Sequence, residues 1–585
     1  MFDTIIKGGT IVDGLGGAPY VGDIAFQDGV IAEVGGSIDA PAREILDASG
    51  AIVTPGWVDV HTHYDGQVSW DSELAPSSHN GATTVVMGNC GVGFAPVKPG
   101  EEKTLIELME GVEDIPGTAL YEGIEWGQWE SFPEYMDYID SREYAIDVAA
   151  QIPHGAVRYY VMGERGKHNK DATEADIAAM AAIVGEAVDA GAVGFSTSRT
   201  IGHRSLWGTA VPGTYAPEQE LMAIAGAMGD LDKGVFEVIP SGTVGKLEHL
   251  GGEQARPDEE HELMTKISKS SGRPVTFTLI QTPEYEPDLW RKMLRLSKEA
   301  NADGAQMHPQ VPSRIIGYLT GLSSYHPFMR KPTYLDKLAP LPLKERVTAM
   351  RDPAIKEALL TEKEIKHEAP GSMENISALL GRSAAILYPL GNPVNYEAGP
   401  ENSLGNRAKA EGREPLEYLY DYMLEDEGKS FCSMSAPNLP KGMEVLRELL
   451  EHSETVTGLS DAGAHVTLIC DATMPTTQLS YWARDRKKGD RLPLEFLVHK
   501  QTARNAKLYG FKDRGSLEVG KRADINVIDF DNLSVSSPVA YKDLPAGGTR
   551  VMQPVSGYIA TYCNGVKIRD HDSDTGNRPG RLARS

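Results

Sequence analysis

Two histidines two residues apart, His61 and His63, stand in the segment PGWVDVHTHYDG (55–66). Trp57, Val58 and Val60 read as a buried strand, and alternate residues on a strand share a face, so both imidazoles project together from its C-terminal end. Paired imidazoles at this spacing are good ligands for a divalent metal. A bare HxH also arises from core packing, but the preceding Pro-Gly turn, the apolar strand and Asp59 favour the metal reading. Cys90 follows the strand-like run ATTVVM in a glycine-rich turn, GNCGVGFAP (88–96). A buried cysteine commonly acts as a small apolar filler; a strand end inside a glycine loop is a poor place for one, whereas a thiolate is a strong zinc ligand. Asp461 ends another such run in GLSDAGAH (458–465). Its ordinary role would be a helix N-cap, for which Ser460 competes. His61, His63 and Cys90 are three donors. They leave the fourth position of a zinc ion open to water, the arrangement of a catalytic rather than a structural site. Asp461 beside it would act as general base.

These residues lie far apart and need a scaffold that brings strand ends to one rim. Residues 57–486 alternate strand-like runs, among them ATTVVMGNC (82–90), GAVGFSTS (191–198), KGVFEVIPS (233–241), RPVTFTLIQT (273–282) and ADGAQMHPQ (302–310), with helical patterns such as ATEADIAAMAAIVGEAVDAG (172–191). That alternation calls for parallel strands with crossover helices. No glycine-rich phosphate loop follows a strand, and the length suits a TIM-like (β/α)8 barrel, whose active sites lie at the C-terminal ends of its strands. The two chain ends have a different texture. Asp28-Gly29 and Asn564-Gly565 each sit between apolar runs as hairpin turns. Residues 1–56 and 487–585 are therefore expected to form one small β domain. Residues 318–430 break the alternation and are rich in Pro, Gly and Asn; they read as a helical and loop insertion near the barrel mouth. The last fifteen residues read as a flexible polar tail.

Composition limits the partners. The 585 residues carry 57 Lys plus Arg against 83 Asp plus Glu, a formal charge of −26. Such a surface repels phosphate backbones and anionic lipid, so neither nucleic acid nor a membrane is expected. No apolar run approaches the length of a membrane span, and the N-terminus lacks the basic and apolar regions of a signal peptide. Four scattered cysteines do not make a disulfide framework. A cytoplasmic enzyme with a small-molecule substrate is expected, with homo-oligomerisation left open.

The chain resembles the amidohydrolase superfamily, and within it the N-acyl-D-amino-acid deacylase (D-aminoacylase) branch. The resemblance rests on IIKGGTIVDGLG (5–16), VTPGWVDVHTHYDG (53–66), GATTVVMGNCGVGFAP (81–96), PHGAVRYYVMG (153–163), DAGAVGFSTS (189–198), GLSDAGAH (458–465) and the segment 502–531. It implies metal-assisted hydrolysis of an amide C–N bond, with zinc held by His61, His63 and Cys90 and with Asp461 as the last-strand aspartate. Two matches fail. The family carries a further metal histidine at the end of each of strands five and six, but VFEVIPSG (235–242) and VTFTLIQT (275–282) contain none. One zinc ion is expected, and the second position lacks its usual ligands. Glu237 is a candidate replacement ligand. His308 is a candidate for contact with substrate. Arg199, His203 and Arg204, or Arg314, could receive a substrate carboxylate. The alternatives are a cyclic-amide (hydantoinase- or imidase-like) hydrolase, which would usually carry a bridging carboxylated lysine, a divergent hydrophobic amide as substrate, or a degenerate barrel that binds a ligand without turnover.

Overall fold

The computed structural model of the chain describes residues 1–282, 284–435 and 443–585. Eight parallel strands run in chain order: β1 (Trp57–Asp59), β2 (Ala82–Met87), β3 (Asp147–Pro153), β4 (Gly194–Ser198), β5 (Val235–Ile239), β6 (Val275–Thr278), β7 (Met307–Val311) and β8 (Val456–Thr457). Residues such as those of β2 and β3 are buried throughout, as strands covered on both faces must be. Val58, Val60, Val86, Ala149, Val193, Val235 and Val456 cluster together, a packed barrel interior of branched side chains.

The barrel closes beyond the ends of β1 and β8. Thr62 bridges Ala462 in parallel, the His63 amide donates to the Ala462 carbonyl at 2.8 Å, and the Asp461 amide donates to the His61 carbonyl at 3.2 Å. Ser460 Oγ ties this seam down, 2.5 Å from Asp59 Oδ2 and 3.1 Å from the His61 carbonyl. The residues that close the barrel are thus the candidate site residues and their neighbours.

One nine-stranded sheet draws on both chain ends. Ile52–Pro55 lies between Phe2–Ile11 and Ile525–Ile528, and the sheet extends to Val30–Val34 on one side and Ser573–Asp574 on the other. Tyr20–Gln27 and Val30–Val34 form a hairpin. Asp28 and Gly29, at φ 51° and 78°, supply its two left-handed turn residues. The boundary expected at 487 falls too early. Leu494–His499 and the helical turns to Leu508 pack on the barrel, where Asn505 Nδ2 donates to the Val58 and Thr457 carbonyls. The tail also differs from expectation. Gly580 and Leu582 bridge Tyr144 and Val148, and Ala583 is buried with the barrel interior residues. The chain end satisfies backbone groups that the start of β3 would otherwise leave open.

The insertion between β7 and β8 has its own core, including Phe328, Leu338, Met350, Leu359, Tyr420 and Met423. Gly317–Thr320 and Tyr388–Pro389 flank Cys432–Ser435 in a small antiparallel sheet. It contacts the barrel mouth: Tyr325 Oη donates to Asp114 Oδ1 at 2.6 Å, and the Leu319 amide donates to the Leu468 carbonyl at 2.7 Å. Among the described residues no helix is long and apolar enough to cross a membrane.

Candidate metal centre and active site

His61 leaves the end of β1 with its ring fixed. Nδ1 donates to Gln310 Oε1 on β7 at 2.8 Å, which leaves Nε2 with its lone pair free. Second contacts of this kind set the tautomer and aim of a metal-binding imidazole. Nε2 of His61 lies 3.5 Å from Cys90 Sγ, and Nε2 of His63 lies 3.9 Å from it. The ligand atoms of His61, His63 and Cys90 all fall within 4.8 Å of one another. This is a donor set of two neutral nitrogens and a sulfur, the chemistry zinc favours.

The turn that carries Cys90 is held from several sides. The Gly88 amide donates to Asp65 Oδ2, Ser196 Oγ donates to the Gly88 carbonyl, and the Gly91 amide donates to Ser196 Oγ. Asn89 Nδ2 reaches the Thr62 and Val86 carbonyls. Gly88 has φ 81°, and a Cβ there would stand 2.1 Å from the Gln151 carbonyl oxygen. Only glycine fits. Cys90 itself has φ 59°, and Leu459, Asp461 and His465 also occupy the left-handed region. Non-glycine residues held there cluster at functional sites.

Asp461 Oδ1 lies 3.3 Å from His61 Nε2 and 3.7 Å from His63 Nε2. Burial alone would raise its carboxyl, but the hydrogen bond from His63 and the neighbouring imidazoles hold it down at about 2. Its side chain is 17% exposed, against 1% or less for the two histidines, and it lines a narrow cleft that runs to Arg550. The N-cap reading fails, because no helix starts at this residue.

Three groups at the centre were not singled out from the sequence: Glu113, His465 and Gln310. Glu113, at the end of the helix Glu102–Glu113, places Oε2 3.5 Å from His63 Nε2 and 3.5 Å from His465 Nε2. The His465 amide donates to the Glu113 carbonyl. His465 was inside a quoted motif, four residues past Asp461. Glu113 gave no signal beyond a helix end, and Gln310 none beyond its alternation with His308. Burial, with Glu113, Glu237 and Asp461 around it, pushes the Cys90 thiol well up. A cation would have to displace its proton.

The other candidates divide. Glu237 lies inside β5 in register with Ser196, fully buried, facing the Cys90 amide but without a well-formed hydrogen bond to either oxygen. His203 is hydrogen-bonded to Ser198 Oγ at 2.9 Å; burial and the imidazoles of His465, His63 and His61 push it down to about 3, against the opposing pull of Asp461. His308 is a correction. It is the second residue of β7, two positions below Gln310, and faces Arg504, Glu454 and Lys507 at the opposite end of the strand. Arg199 is also corrected: its Nε pairs with Glu260 at 2.8 Å and its Nη1 donates to the Ala216 carbonyl. Arg314 is corrected likewise. It is buried, paired with Asp471 at 2.6 Å, bonded to the Cys470 carbonyl and stacked over Tyr396 at 4.2 Å. Arg204 is spent on the Ile201 and Gly208 carbonyls.

A closed (β/α)8 barrel whose C-terminal rim gathers two imidazoles, a thiol and a carboxylate defines an enzyme of the barrel hydrolase class. The profile of the Amidohydrolase family matches residues 44–568, and the chain belongs to that family. It is accordingly a hydrolase of C–N bonds. An uncharacterized protein of Mycobacterium tuberculosis is 27% identical over 566 residues, 92% of this chain and 86% of that protein. The D-aminoacylase of Alcaligenes xylosoxydans xylosoxydans is 24% identical over 590 residues, 99% of this chain and 97% of that protein. Among solved structures, D-aminoacylase superposes with a TM-score of 0.65 at 21% identity, and the zinc- and phosphonate-bound N-acyl-D-glutamate deacylase of Bordetella bronchiseptica with 0.64 at 23%; both alignments cover each chain fully. These likenesses show a shared fold.

Proposed function

We propose that the protein is a metal-dependent deacylase that hydrolyses the amide of an N-acyl amino acid, of the D series by kinship with the deacylases above. The observation that carries this is the convergence of His61 Nε2, His63 Nε2 and Cys90 Sγ within 4.8 Å beside an ionised, partly open Asp461. A zinc ion held by these three residues would polarise the scissile carbonyl and make water more acidic. Gln310 keeps the His61 tautomer ready for that role. Asp461, ionised at neutral pH, accepts the proton of the attacking water at its carboxylate and passes it to the departing nitrogen. Its cleft-facing position is what allows both transfers. His203 and His465, neutral at pH 7 because burial and their neighbours depress them, offer hydrogen bonds to the substrate rather than charge.

A second reading has its own observation. Arg199 and Arg314, two of the arginines expected to receive a substrate carboxylate, are both engaged in ion pairs. This favours an uncharged or aryl amide over an amino acid. The test compares kcat/KM for N-acetyl-D- and L-amino acids, the matching amino-acid amides and acetanilides, in wild type and Asp461→Asn. Preference for the free D-acid supports the first reading, and preference for the neutral amide the second. In Asp461→Asn the rate should fall about a hundred- to ten-thousand-fold, with zinc content unchanged. A near-normal rate would remove Asp461 from the mechanism, and joint loss of zinc would make it a ligand.

A further inference from the structure

A cavity of about 590 Å³ opens away from the metal centre, between the insertion, the helix Gln478–Asp485 and residues 533–535. It shares no residue with the cleft at Asp461, and its volume is that of an ordinary small-molecule site. Its charge runs against that of the chain. Arg484 is spent on Asp485 and on the Phe530 and Leu533 carbonyls. Glu397 accepts from the Tyr481 hydroxyl. Lys487, Lys488 and Arg491 also line the cavity, and among the described residues none of the three has an acidic partner. Lys488 donates to the Glu397 carbonyl and Arg491 to the Arg486 carbonyl. The loop that carries them is anchored: Arg486 is buried, pairs with Glu444 and donates to the Asp490 carbonyl at 2.8 Å. Three cations thus face one acid on a chain of net charge −26. A surplus of this kind draws an anion. A second observation comes from the helical side. Thr477 lines the cavity, is 5% exposed, and its Oγ1 has no hydrogen-bond partner. Thr476 beside it is bonded to Asn80. A buried hydroxyl left without a partner is costly, and a ligand oxygen would satisfy it. Val394, Leu533 and Val535 add apolar surface to the same cavity.

We infer that this cavity is a binding site for a small organic dianion, separate from the active site. Lys487, Lys488, Arg491 and the Thr477 hydroxyl receive its acid groups, and Val394, Leu533 and Val535 receive its carbon skeleton. The charge of the ligand follows from the balance of three cations against Glu397. Its organic character follows from the apolar surface and from a volume far larger than a bare inorganic anion fills. The inference stands whether or not the metal centre works as proposed above.

The test is isothermal titration calorimetry of the metal-loaded protein with phthalate, succinate and inorganic phosphate. Wild type is compared with Lys487→Gln/Lys488→Gln/Arg491→Gln and with Thr477→Val. The three cations are exposed, and valine keeps the shape of threonine while removing the unpaired hydroxyl. Both variants should therefore melt at or above the wild-type temperature, which verifies folding without reference to activity. One phthalate or succinate per chain is expected in wild type, with affinity that falls as salt is added. Losing the charge contacts should weaken binding by about tenfold or more, and Thr477→Val should weaken it too. Absence of saturable binding of either organic acid to wild type overturns the inference. Unchanged affinity in either variant overturns it as well, because the anion is then held at the metal centre or elsewhere. Tighter binding of inorganic phosphate than of both organic acids would overturn the ligand class.

Discussion

Single residues here carry opposite fates from similar sequence contexts. Both Gln310 and His308 point the same way from β7, but only the upper one meets the centre. His308 is held down at about 4 by burial and by Arg504. It is therefore neutral in the folded chain and charged in the unfolded one between about pH 4 and 6.5. The stability it contributes is fully present above pH 6.5 and disappears as pH falls through 4, a difference of about 3 kcal/mol. His308→Gln should flatten the loss of melting temperature between pH 6.5 and 4 and leave kcat/KM at neutral pH unchanged; an effect on KM would return this residue to the active site. Arg314 makes the complementary case. Its pairing with Asp471 is buried on both sides, and removing one partner of such a pair costs about 3–5 kcal/mol. Arg314→Met should lower unfolding free energy by that order in denaturant titration, with any change in KM following from unfolding alone.

At the scale of elements, the seam between the ends of β1 and β8 does the positioning. Ser460 links Asp59 to the His61 carbonyl, and its loss leaves a buried carboxylate short of a donor, a cost of about 1–3 kcal/mol. Ser460→Ala is expected to show that loss and, because His61 and His63 then share a looser register with Asp461, faster zinc release to a chelator. Unchanged release would separate the seam from the site. What the sequence disclosed follows from the same physics. His61, His63, Cys90 and Asp461 were legible because each follows an apolar run, and strand ends in a barrel meet at one rim. Strand direction and extent were less legible, so His308 was placed at the wrong end of a five-residue strand. Glu113 was invisible because it comes from a helix end, where nothing in the local pattern shows which way the side chain turns. Arg199 and Arg314 looked available because a sequence does not display Glu260 or Asp471 beside them.

At the scale of the whole molecule, the insertion has a core of its own, joined to the rest of the chain by polar ties such as Tyr325 to Asp114 and Tyr396 to Gln553. Segments of that kind open at lower free energy than the core they decorate. In native-state hydrogen exchange the amides around Leu359 and Tyr420 should exchange by a cheaper opening than those of β2 and β3; equal protection would make the insertion one cooperative unit with the barrel. The closing seam also has a consequence for biosynthesis. Ser460 is 401 residues downstream of its partner Asp59. At about 5–20 residues per second, translation leaves roughly 20–75 s in which Cys90 and both imidazoles have been made and Asp461 has not. On the proposed mechanism the general base is missing throughout that interval, and activity begins only when the ribosome has supplied the eighth strand and the Asp461 that follows it.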